Sequence, residues 1–253
     1  MKIVINGKDY ETEKGDTILK VARRNNIYIP TLCHSDALPG LASCRLCIVE
    51  IVDGEESKIV ASCISPANPA NKEIEVMTDS NKIKRMRRTI AMLLQARCPD
   101  NKEIEKFAKA FKVEKRKVNR FKLSKGEDCV LCGLCVKACK AVGIGVLSLV
   151  NKGIYKKLNI LDKASQKCIG CGSCANVCPT NAIKIIDKNE QRKIWGNKFK
   201  MVKCDCCGEY FATEDHIKYA YDKLGIGQPE KIYCSKCKRK HAVRSINNVF
   251  ESI

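Results

Sequence analysis

The chain has 253 residues, 45% of them hydrophobic, a length that suits two or three small domains better than one large core. It carries 18 cysteines and a formal net charge of +19. No signal-peptide core follows Met1, and no apolar run approaches the roughly 20 residues of a membrane span, so we expect a cytoplasmic protein whose cysteines bind metal rather than form disulfides.

The N-terminal segment is predicted to contain strands around one short helix. Two β-prone runs, 2–6 and 9–12, flank the dipeptide Asn6-Gly7, which is typical of tight hairpin turns. Asp16 and Thr17 are candidate caps for the helix that follows, because the next apolar residues share one helical face.

Four cysteines of this segment have the spacing C-x10-C-x2-C-x15-C: Cys33, Cys44, Cys47 and Cys63. Plant-type ferredoxins use C-x4-C-x2-C and a distant fourth cysteine, so the first interval here is longer. Taken alone, four thiolates in a β-rich segment fit either a [2Fe-2S] cluster or zinc.

Residues 80–113 show helical periodicity in their apolar positions. Ile83, Met86, Ile90 and Leu93 recur at helical spacing and predict one buried face, while the Arg/Lys run that includes Arg87 is predicted to form a solvated face. Docking of a partner is the alternative role for these basic residues.

Two copies of C-x2-C-x2-C-x3-C follow, one formed by Cys129, Cys132, Cys135 and Cys139 and the other by Cys168, Cys171, Cys174 and Cys178. In two-cluster ferredoxins the last cysteine of each motif ligates the cluster of the other motif. We therefore assign one [4Fe-4S] cluster to Cys129, Cys132, Cys135 and Cys178, and a second to Cys168, Cys171, Cys174 and Cys139. Strand-like runs at 146–150 and 154–158 predict a hairpin inserted between the motifs.

A last compact unit contains C-x2-C and a second C-x2-C, formed by Cys204, Cys207, Cys234 and Cys237. Two such knuckles offer four tetrahedral thiolates, which favours a structural zinc site, with rubredoxin-like iron as the alternative. Cys206 falls outside that spacing, and His216 and His241 are predicted to be bystanders. Residues 188–200 are predicted to be a linker to this unit.

The sequence around the first cysteine group resembles a known family. The runs Ile29–His34, Cys44–Glu50 and Ser62-Cys63, together with the second four-cysteine motif, are similar to the large iron–sulfur subunit of NADH:quinone oxidoreductase, the diaphorase small subunit of bidirectional hydrogenases, [FeFe]-hydrogenases and NAD-dependent formate dehydrogenases. This resemblance covers roughly residues 1–187. It implies a β-grasp fold in which Cys33, Cys44, Cys47 and Cys63 hold a [2Fe-2S] cluster, and it gives His34 the role of a packed or hydrogen-bonded neighbour.

Two departures limit what the resemblance implies. Many relatives carry a His-x3-Cys-x2-Cys-x5-Cys cluster after the helix, whereas here Cys98 stands without further cysteines before Cys129, so we expect no such cluster and a buried thiol at Cys98. The catalytic relatives also continue into a large domain, and here only 75 residues follow Cys178. The chain has no Gly-x-Gly-x-x-Gly segment or Walker loop, so we expect it not to be an enzyme.

The predicted fold class is α+β, and the predicted domains are a β-grasp [2Fe-2S] domain, a helical linker, a two-[4Fe-4S] ferredoxin-like domain and a zinc-ribbon-like domain, at residues 1–79, 80–125, 126–190 and 200–253 respectively. Because metal-bound thiolates are charged, four loaded sites of about −2 each leave the protein at about +11. That charge suits an acidic partner subunit or redox protein.

The leading hypothesis is an electron-transfer subunit of a cytoplasmic, anaerobic oxidoreductase complex. Its partners would be a flavin-containing NAD(P)H-oxidising subunit and a catalytic redox subunit or ferredoxin, in a hetero-oligomer without a membrane span. Two alternatives remain open from sequence: a nucleic-acid-binding iron–sulfur protein with a zinc ribbon, and a freestanding polyferredoxin. The low content of aromatic residues, 6%, argues against nucleic-acid binding, because such residues stack on bases.

Overall fold

The computed structural model describes residues 1–113, 128–160 and 167–250, except for the side chains of Asn71, Ile154 and residues 244–250. The predicted boundary between residues 125 and 126, and the C-terminal end of the predicted 200–253 domain, lie outside the described residues.

The chain divides into two compact units that are not continuous in sequence. Unit 1 comprises residues 1–159 and 177–182, and unit 2 comprises residues 160–176 and 183–253. Both contain helices and strands, and the fold class is the predicted mixture of α and β structure.

The first elements in chain order are β1 (Lys2–Ile5), β2 (Lys8–Glu11), α1 (Ile18–Arg24), β3 (Ile48–Asp53), β4 (Glu56–Ala61), β5 (Glu75–Met77), α2 (Asn81–Arg97) and α3 (Lys102–Ala110). Strands β1–β5 form one sheet in the order β2-β1-β5-β3-β4. The central pair β1–β5 is parallel, whereas β1–β2, β3–β4 and β3–β5 are antiparallel. The apolar face of α1 packs on this sheet, where Ile3, Ile5 and Val76 are fully buried with Ile18 and Leu19.

The local signals in this sheet confirm the predicted hairpin and helix start. Asn6 and Gly7 both adopt positive φ, 52° and 76°, as a tight two-residue hairpin turn between twisted strands requires. Thr17 is the cap of α1, because its side chain accepts a hydrogen bond from the Lys20 amide at 3.2 Å. Asp16 is instead buried and ion-paired with Lys20 and Arg24, at 2.9 Å in each case.

Helix α2 forms as predicted, but the prediction that Arg87 lies on a solvated face is wrong. Its side chain is buried and donates to the carbonyl oxygens of Leu46 at 3.0 Å and Ile48 at 2.7 Å. Met86 and Leu93, predicted to be buried, are partly exposed instead. Arg87, rather than Met86 and Leu93, lies on the buried face of the helix. Its long guanidinium can donate to carbonyl groups that would otherwise be buried without hydrogen-bond donors.

The region that begins within the first four-cysteine motif and runs towards the second contains α4 (Leu134–Val142), β6 (Leu147–Val150) and β7 (Lys157–Ile160). Strands β6 and β7 pair with each other in a two-stranded sheet. A 3-10 turn, Gly153–Tyr155, overlaps the start of the predicted second strand at 154–158, so β7 starts three residues later than predicted.

The remaining elements are α5 (Ser173–Asn176), β8 (Ile186–Lys188), β9 (Gln191–Ile194), β10 (Asn197–Lys203), β11 (Tyr210–Thr213), α6 (Glu214–Leu224) and α7 (Ser235–Phe250). Strands β8–β11 form an antiparallel sheet in the order β11-β10-β9-β8. The predicted linker at 188–200 is therefore wrong. Two turns with paired positive φ values, Asn189-Glu190 and Trp195-Gly196, fold this segment into consecutive hairpins.

Of the helices in the described ranges, none combines the length and the apolar character that crossing a membrane would require.

The buried contacts of Arg87 predict a large difference between neighbouring arginines. Arg87→Leu leaves two buried carbonyl oxygens without donors and should lower the apparent free energy of unfolding by about 2 kcal/mol or more. Arg88→Leu is the matched control, because Arg88 is exposed one position along the same helix. Urea unfolding followed by circular dichroism measures both variants, and equal midpoints would contradict the assigned role.

Candidate metal centres

The four cysteines of the N-terminal segment converge at one end of the five-stranded sheet. Cys47 immediately precedes β3 and Cys63 follows β4, so the antiparallel pairing of these strands brings the two residues together. Cys33, Cys47 and Cys63 are buried, and Cys44 is half-buried. A Cβ at Gly40 would stand 2.4 Å from the carbonyl oxygen of Cys63, so only glycine allows the chain to pass this closely.

These four thiols form two hydrogen-bonded pairs, Cys33 with Cys44 and Cys47 with Cys63. The bond from Cys33 lowers the pKa of Cys44 to about 6, and the bond from Cys47 lowers the pKa of Cys63 to about 6. The other member of each pair, Cys33 or Cys47, has a raised pKa. It keeps its proton because it donates a hydrogen bond to the sulfur of its partner, and burial raises its pKa as well. Two pairs of thiols match the ligand demand of a [2Fe-2S] cluster, in which each iron takes two of the four cysteines.

The first four-cysteine motif lies at the start of α4, with Cys178 beside it in unit 1. Amide groups donate to sulfur at both ends of this group, from Leu131 to Cys129 at 3.4 Å and from Ala182 to Cys178 at 3.3 Å. Burial, together with the nearby thiolates of Cys178, Cys129 and Cys44, raises the pKa of Cys132 to about 11. Cys132 therefore has sulfurs from both its own motif and the N-terminal group as electrostatic neighbours.

The loop that carries the first predicted ligands of the N-terminal group (residues 33–47, the two-iron loop) packs directly against this motif. Cys33, Cys132 and Leu134 form one buried apolar cluster, with Leu38, Leu41, Cys44, Val130 and Val177 packed around it. Lys137 of α4 fixes the same contact, because its ammonium donates to the carbonyl oxygens of Pro39 at 3.3 Å and Gly40 at 3.2 Å. Two predicted iron sites of unit 1 thus share an apolar interface.

Polar contacts around Asn101 hold this group of cysteines to the end of α2 and the start of α3. Asn101 caps the helix and donates to the carbonyl oxygen of Thr180 at 2.9 Å and to Asp128 at 3.0 Å. Arg97 donates to the carbonyl oxygen of Cys129 at 2.7 Å. These contacts hold Cys129 and Cys178 in position, although the two cysteines come from distant parts of the sequence.

The second motif begins in unit 2, where residues 168–174 (the second cysteine loop) pack on the β8–β11 sheet. A Cβ at Gly170 would stand 2.6 Å from the ring of Phe199 on β10. Thr213 at the end of β11 donates to the carbonyl oxygen of Ile169 at 2.5 Å. Arg192 of β9 donates to the carbonyl oxygen of Gly170 at 3.2 Å.

These three supporting residues are not found by sequence reasoning, because no spacing connects them to the cysteines. Within the second loop Cys174 is buried, while Cys168 and Cys171 are half-buried. Cys139 lies in α4 and is also half-buried. Its assignment as the fourth ligand of the second cluster stays a prediction.

The four cysteines predicted to bind zinc are brought together in unit 2. The sulfurs of Cys204, Cys207, Cys234 and Cys237 all lie within 4.8 Å of one another, and those of Cys207 and Cys234 are 3.9 Å apart. Tetrahedral zinc with Zn–S bonds of about 2.3 Å sets neighbouring sulfurs about 3.8 Å apart. Although burial raises the pKa of Cys204, amide donors led by Cys234 lower it to about 6, which favours the metal-binding thiolate.

The remaining cysteines and histidines are not among the predicted ligands, although the side chain of Cys206 hydrogen-bonds with that of Cys237. Cys98 is buried at the end of α2, and Cys206 is exposed. His34 follows Cys33 in the sequence and is hydrogen-bonded to Asp36, with 3.1 Å between its Nε2 and the carboxylate oxygen. His241 stacks on Tyr233, with ring centroids 4.9 Å apart, and His216 lies in α6.

Comparison with known proteins identifies what two of these regions are. Residues 1–81 match the family model of a 2Fe-2S iron-sulfur cluster binding domain, and residues 165–184 match that of a 4Fe-4S binding domain. These two regions of the chain thus match ferredoxin domain families. The resemblance predicted from its cysteine motifs is confirmed.

The relatives are components of redox enzymes. The chain is 28% identical over 232 residues to a component of the NADH-quinone oxidoreductase of Rhizobium meliloti, an alignment covering 82% of this chain and 27% of that protein. It is 30% identical over 214 residues to the HndD component of the NADP-reducing hydrogenase of Solidesulfovibrio fructosivorans, covering 72% of this chain and 36% of that protein. The chain thus spans only about a quarter to a third of the length of these two relatives.

A solved structure resembles the fold. A chain of the NAD+-reducing [NiFe]-hydrogenase in its H2-reduced state superposes with a TM-score of 0.58 and 26% sequence identity, covering 72% of this chain and 85% of that chain. The similarity therefore extends over most of a complete chain of known structure.

The close approach of Gly170 to Phe199 predicts a test of the second cysteine loop. Gly170→Ala places a methyl group against the ring at a residue with φ of 62°, and we expect the purified chain to lose about four irons. Gly225→Ala is the matched control, because Gly225 has a similar φ of 65° with open space around it. Iron content per chain measures the difference, and equal iron in both variants would contradict the packing argument.

Proposed function

We propose that the chain is the electron-transfer subunit of a cytoplasmic, anaerobic oxidoreductase complex, relaying single electrons through one [2Fe-2S] and two [4Fe-4S] clusters. The observation that carries this proposal is the packing of the two-iron loop on the first four-cysteine motif. A structural or storage role would not need two iron sites in contact, whereas a relay requires short distances between its centres.

The residues of this interface are suited to electron transfer between fixed sites. Each cluster, when bound, accepts and releases one electron at a time. The protein supplies sulfur ligands, apolar side chains that exclude water, and a clamp in which Lys137 holds Pro39 and Gly40. A rigid, dry contact keeps the separation of the two sites constant and limits solvent reorganisation.

The relatives support the choice of partners. Their names link them to NADH, NADP, hydrogenase and formate dehydrogenase chemistry. We infer that this chain exchanges electrons with a flavin-containing NAD(P)H-oxidising subunit on one side and a catalytic redox subunit or a ferredoxin on the other. The chain itself is non-catalytic in this proposal, since its sequence shows no nucleotide-binding or nucleophile motif.

We further propose that Cys204, Cys207, Cys234 and Cys237 hold one zinc ion with a structural role. Their mutual sulfur distances suit the closed tetrahedral site that four thiolates form with zinc. Zinc has no accessible second redox state, so this site would stabilise the fold of the C-terminal part rather than carry electrons.

The relay predicts the iron content and spectrum of the intact chain. After anaerobic purification and reconstitution we expect about ten irons per chain, two from the N-terminal site and four from each ferredoxin-like site. Reduction with dithionite should produce electron paramagnetic resonance signals of one [2Fe-2S] and two [4Fe-4S] clusters.

The ligand assignment is tested in the same preparation by a pair of cysteine variants. Cys132→Ser should remove or alter one [4Fe-4S] signal, while Cys98→Ser, at a cysteine outside all proposed ligand groups, should keep all three. Only two or three irons per chain, or no paramagnetism after reduction, would overturn the proposed function.

The zinc assignment predicts a separate result in metal analysis. Cys234→Ser should lose about one zinc per chain, because three thiolates form an incomplete structural site. Cys206→Ser is the matched control and should retain it. If Cys234→Ser lowers iron by one equivalent and leaves zinc unchanged, the site is of the rubredoxin type instead.

A further inference from the structure

Arg192 is a charged residue that neither the cysteine motifs nor the zinc knuckles account for. It lies on β9 opposite Asp187 of β8, and its side chain is only 12% exposed. Two of its nitrogens donate to the two carboxylate oxygens of Asp187, at 2.9 and 2.8 Å. This bidentate pair fixes the plane of the guanidinium, because both side chains lose their rotational freedom.

The third nitrogen of the guanidinium points into the second cysteine loop. It donates to the carbonyl oxygen of Gly170 at 3.2 Å, and a Cβ built on Gly172 would stand 3.5 Å from the same nitrogen. These two glycines flank Cys171 in the sequence. The positive end of the Arg192–Asp187 pair therefore faces the backbone on both sides of a predicted cluster ligand, and the negative end faces away.

A fixed positive charge at this position affects the two oxidation states unequally. Four thiolates give a [4Fe-4S]²⁺ cluster a net charge of about −2, and uptake of one electron makes it about −3. A cation stabilises the more negative state more strongly, and it does so most effectively where burial reduces screening.

We propose that Arg192 sets the reduction potential of the cluster bound by the second cysteine loop, and that Asp187 orients the guanidinium for this purpose. The inference rests on the proposed function, since it assumes that Cys168, Cys171 and Cys174 ligate a [4Fe-4S] cluster. Arg192 is a positioning and potential-setting residue, because its contacts are to the loop backbone and to Asp187.

The electrostatic surroundings agree with this assignment. The pKa of Arg192 is raised, chiefly by the hydrogen bonds to Asp187 and also by the Cys171 thiolate, so the side chain is charged at any working pH. Burial, together with the charge of Arg192, lowers the pKa of His216, which is therefore neutral at neutral pH. Among these neighbours Arg192 is the positive charge that faces the loop.

The experiment is a potentiometric titration of the full chain with its clusters loaded, followed by electron paramagnetic resonance. In each step dithionite supplies one electron through mediators, which converts [4Fe-4S]²⁺ to [4Fe-4S]⁺. Arg192→Gln should lower the equilibrium constant for this reduction about threefold or more, which is ~30 mV towards more negative potential at ~59 mV per tenfold change. The [2Fe-2S] signal of the same sample is the internal reference and should not move.

Asp187→Asn gives the opposite sign, which a purely structural role does not predict. The asparagine amide oxygen can still accept a hydrogen bond from the guanidinium and keep it oriented, while the opposing negative charge is removed, so the potential of the same cluster should rise. Arg192→Lys keeps the charge and should fall between the wild-type protein and Arg192→Gln. Lys200→Gln is the matched control on the same sheet, because Lys200 pairs with Glu214 on the surface and should leave the potential unchanged.

The outcomes separate this inference from the proposed function. If Arg192→Gln and Asp187→Asn shift the potential in the same direction, or leave it unchanged, Arg192 does not set it. If Arg192→Gln fails to take up the cluster, the opposite shifts expected of Asp187→Asn and Arg192→Lys still decide the question. If the wild-type chain shows no [4Fe-4S] signal at all, the proposed function fails, whatever the variants do.

Discussion

Like charges on closely spaced sulfurs are the constraint on which this fold depends. Two unit charges 4 Å apart repel by about 4 kcal/mol at an effective dielectric constant of 20, so four thiolates cannot be gathered in one place without compensation. The thiols stand in hydrogen-bonded pairs, Cys33 with Cys44 and Cys47 with Cys63, in which the pKa of one sulfur is lowered and that of the other is raised. Backbone amides directed at sulfur, such as those of Ala182 and Cys234, supply part of the compensation.

Separation along the sequence explains which parts of the fold could be predicted from the sequence. Local signals were sufficient for the Asn6-Gly7 hairpin and the Thr17 cap, because a turn or a cap is determined by residues within a few positions of it. The buried face of α2 was mispredicted because Arg87 hydrogen-bonds to the carbonyl groups of Leu46 and Ile48, which lie about 40 positions earlier in the chain. Helical periodicity considers only residues within the helix, so it cannot predict a hydrogen-bond partner so far away in the sequence.

The predicted linker at residues 188–200 shows a related limit. It was chosen for its polar composition, yet a strand in an antiparallel sheet with one face towards water is also largely polar. The turn at Trp195-Gly196 could have revealed the hairpin, because glycine in the second position of a two-residue turn favours the positive φ observed there. The turn at Asn189-Glu190 was harder to find, since glutamate rarely adopts positive φ.

For the candidate sites, spacing indicated the cysteine groups, but it could not indicate what surrounds them. Cys204, Cys207, Cys234 and Cys237 lie close together as their knuckle spacing predicts. Phe199, Arg192 and Thr213 reach the second cysteine loop only through the register of β8–β11, which depends on the long-range pairing of those strands. The resemblance inferred from the cysteine motifs extends only to about residue 187, and these three residues lie beyond it.

The position of the second cysteine loop gives the C-terminal cysteine site a consequence that its own chemistry does not suggest. Cys204 directly follows β10, which carries Phe199, and Cys207 precedes β11, which ends at Thr213. A metal ion bound there would fix the connection between two strands whose side chains hold Ile169 and Gly170 in place. A site without redox activity would thus stabilise the geometry of a loop whose cysteines are proposed to bind a redox cluster. Loosening the β10–β11 connection would weaken the contacts of Phe199 and Thr213 with that loop.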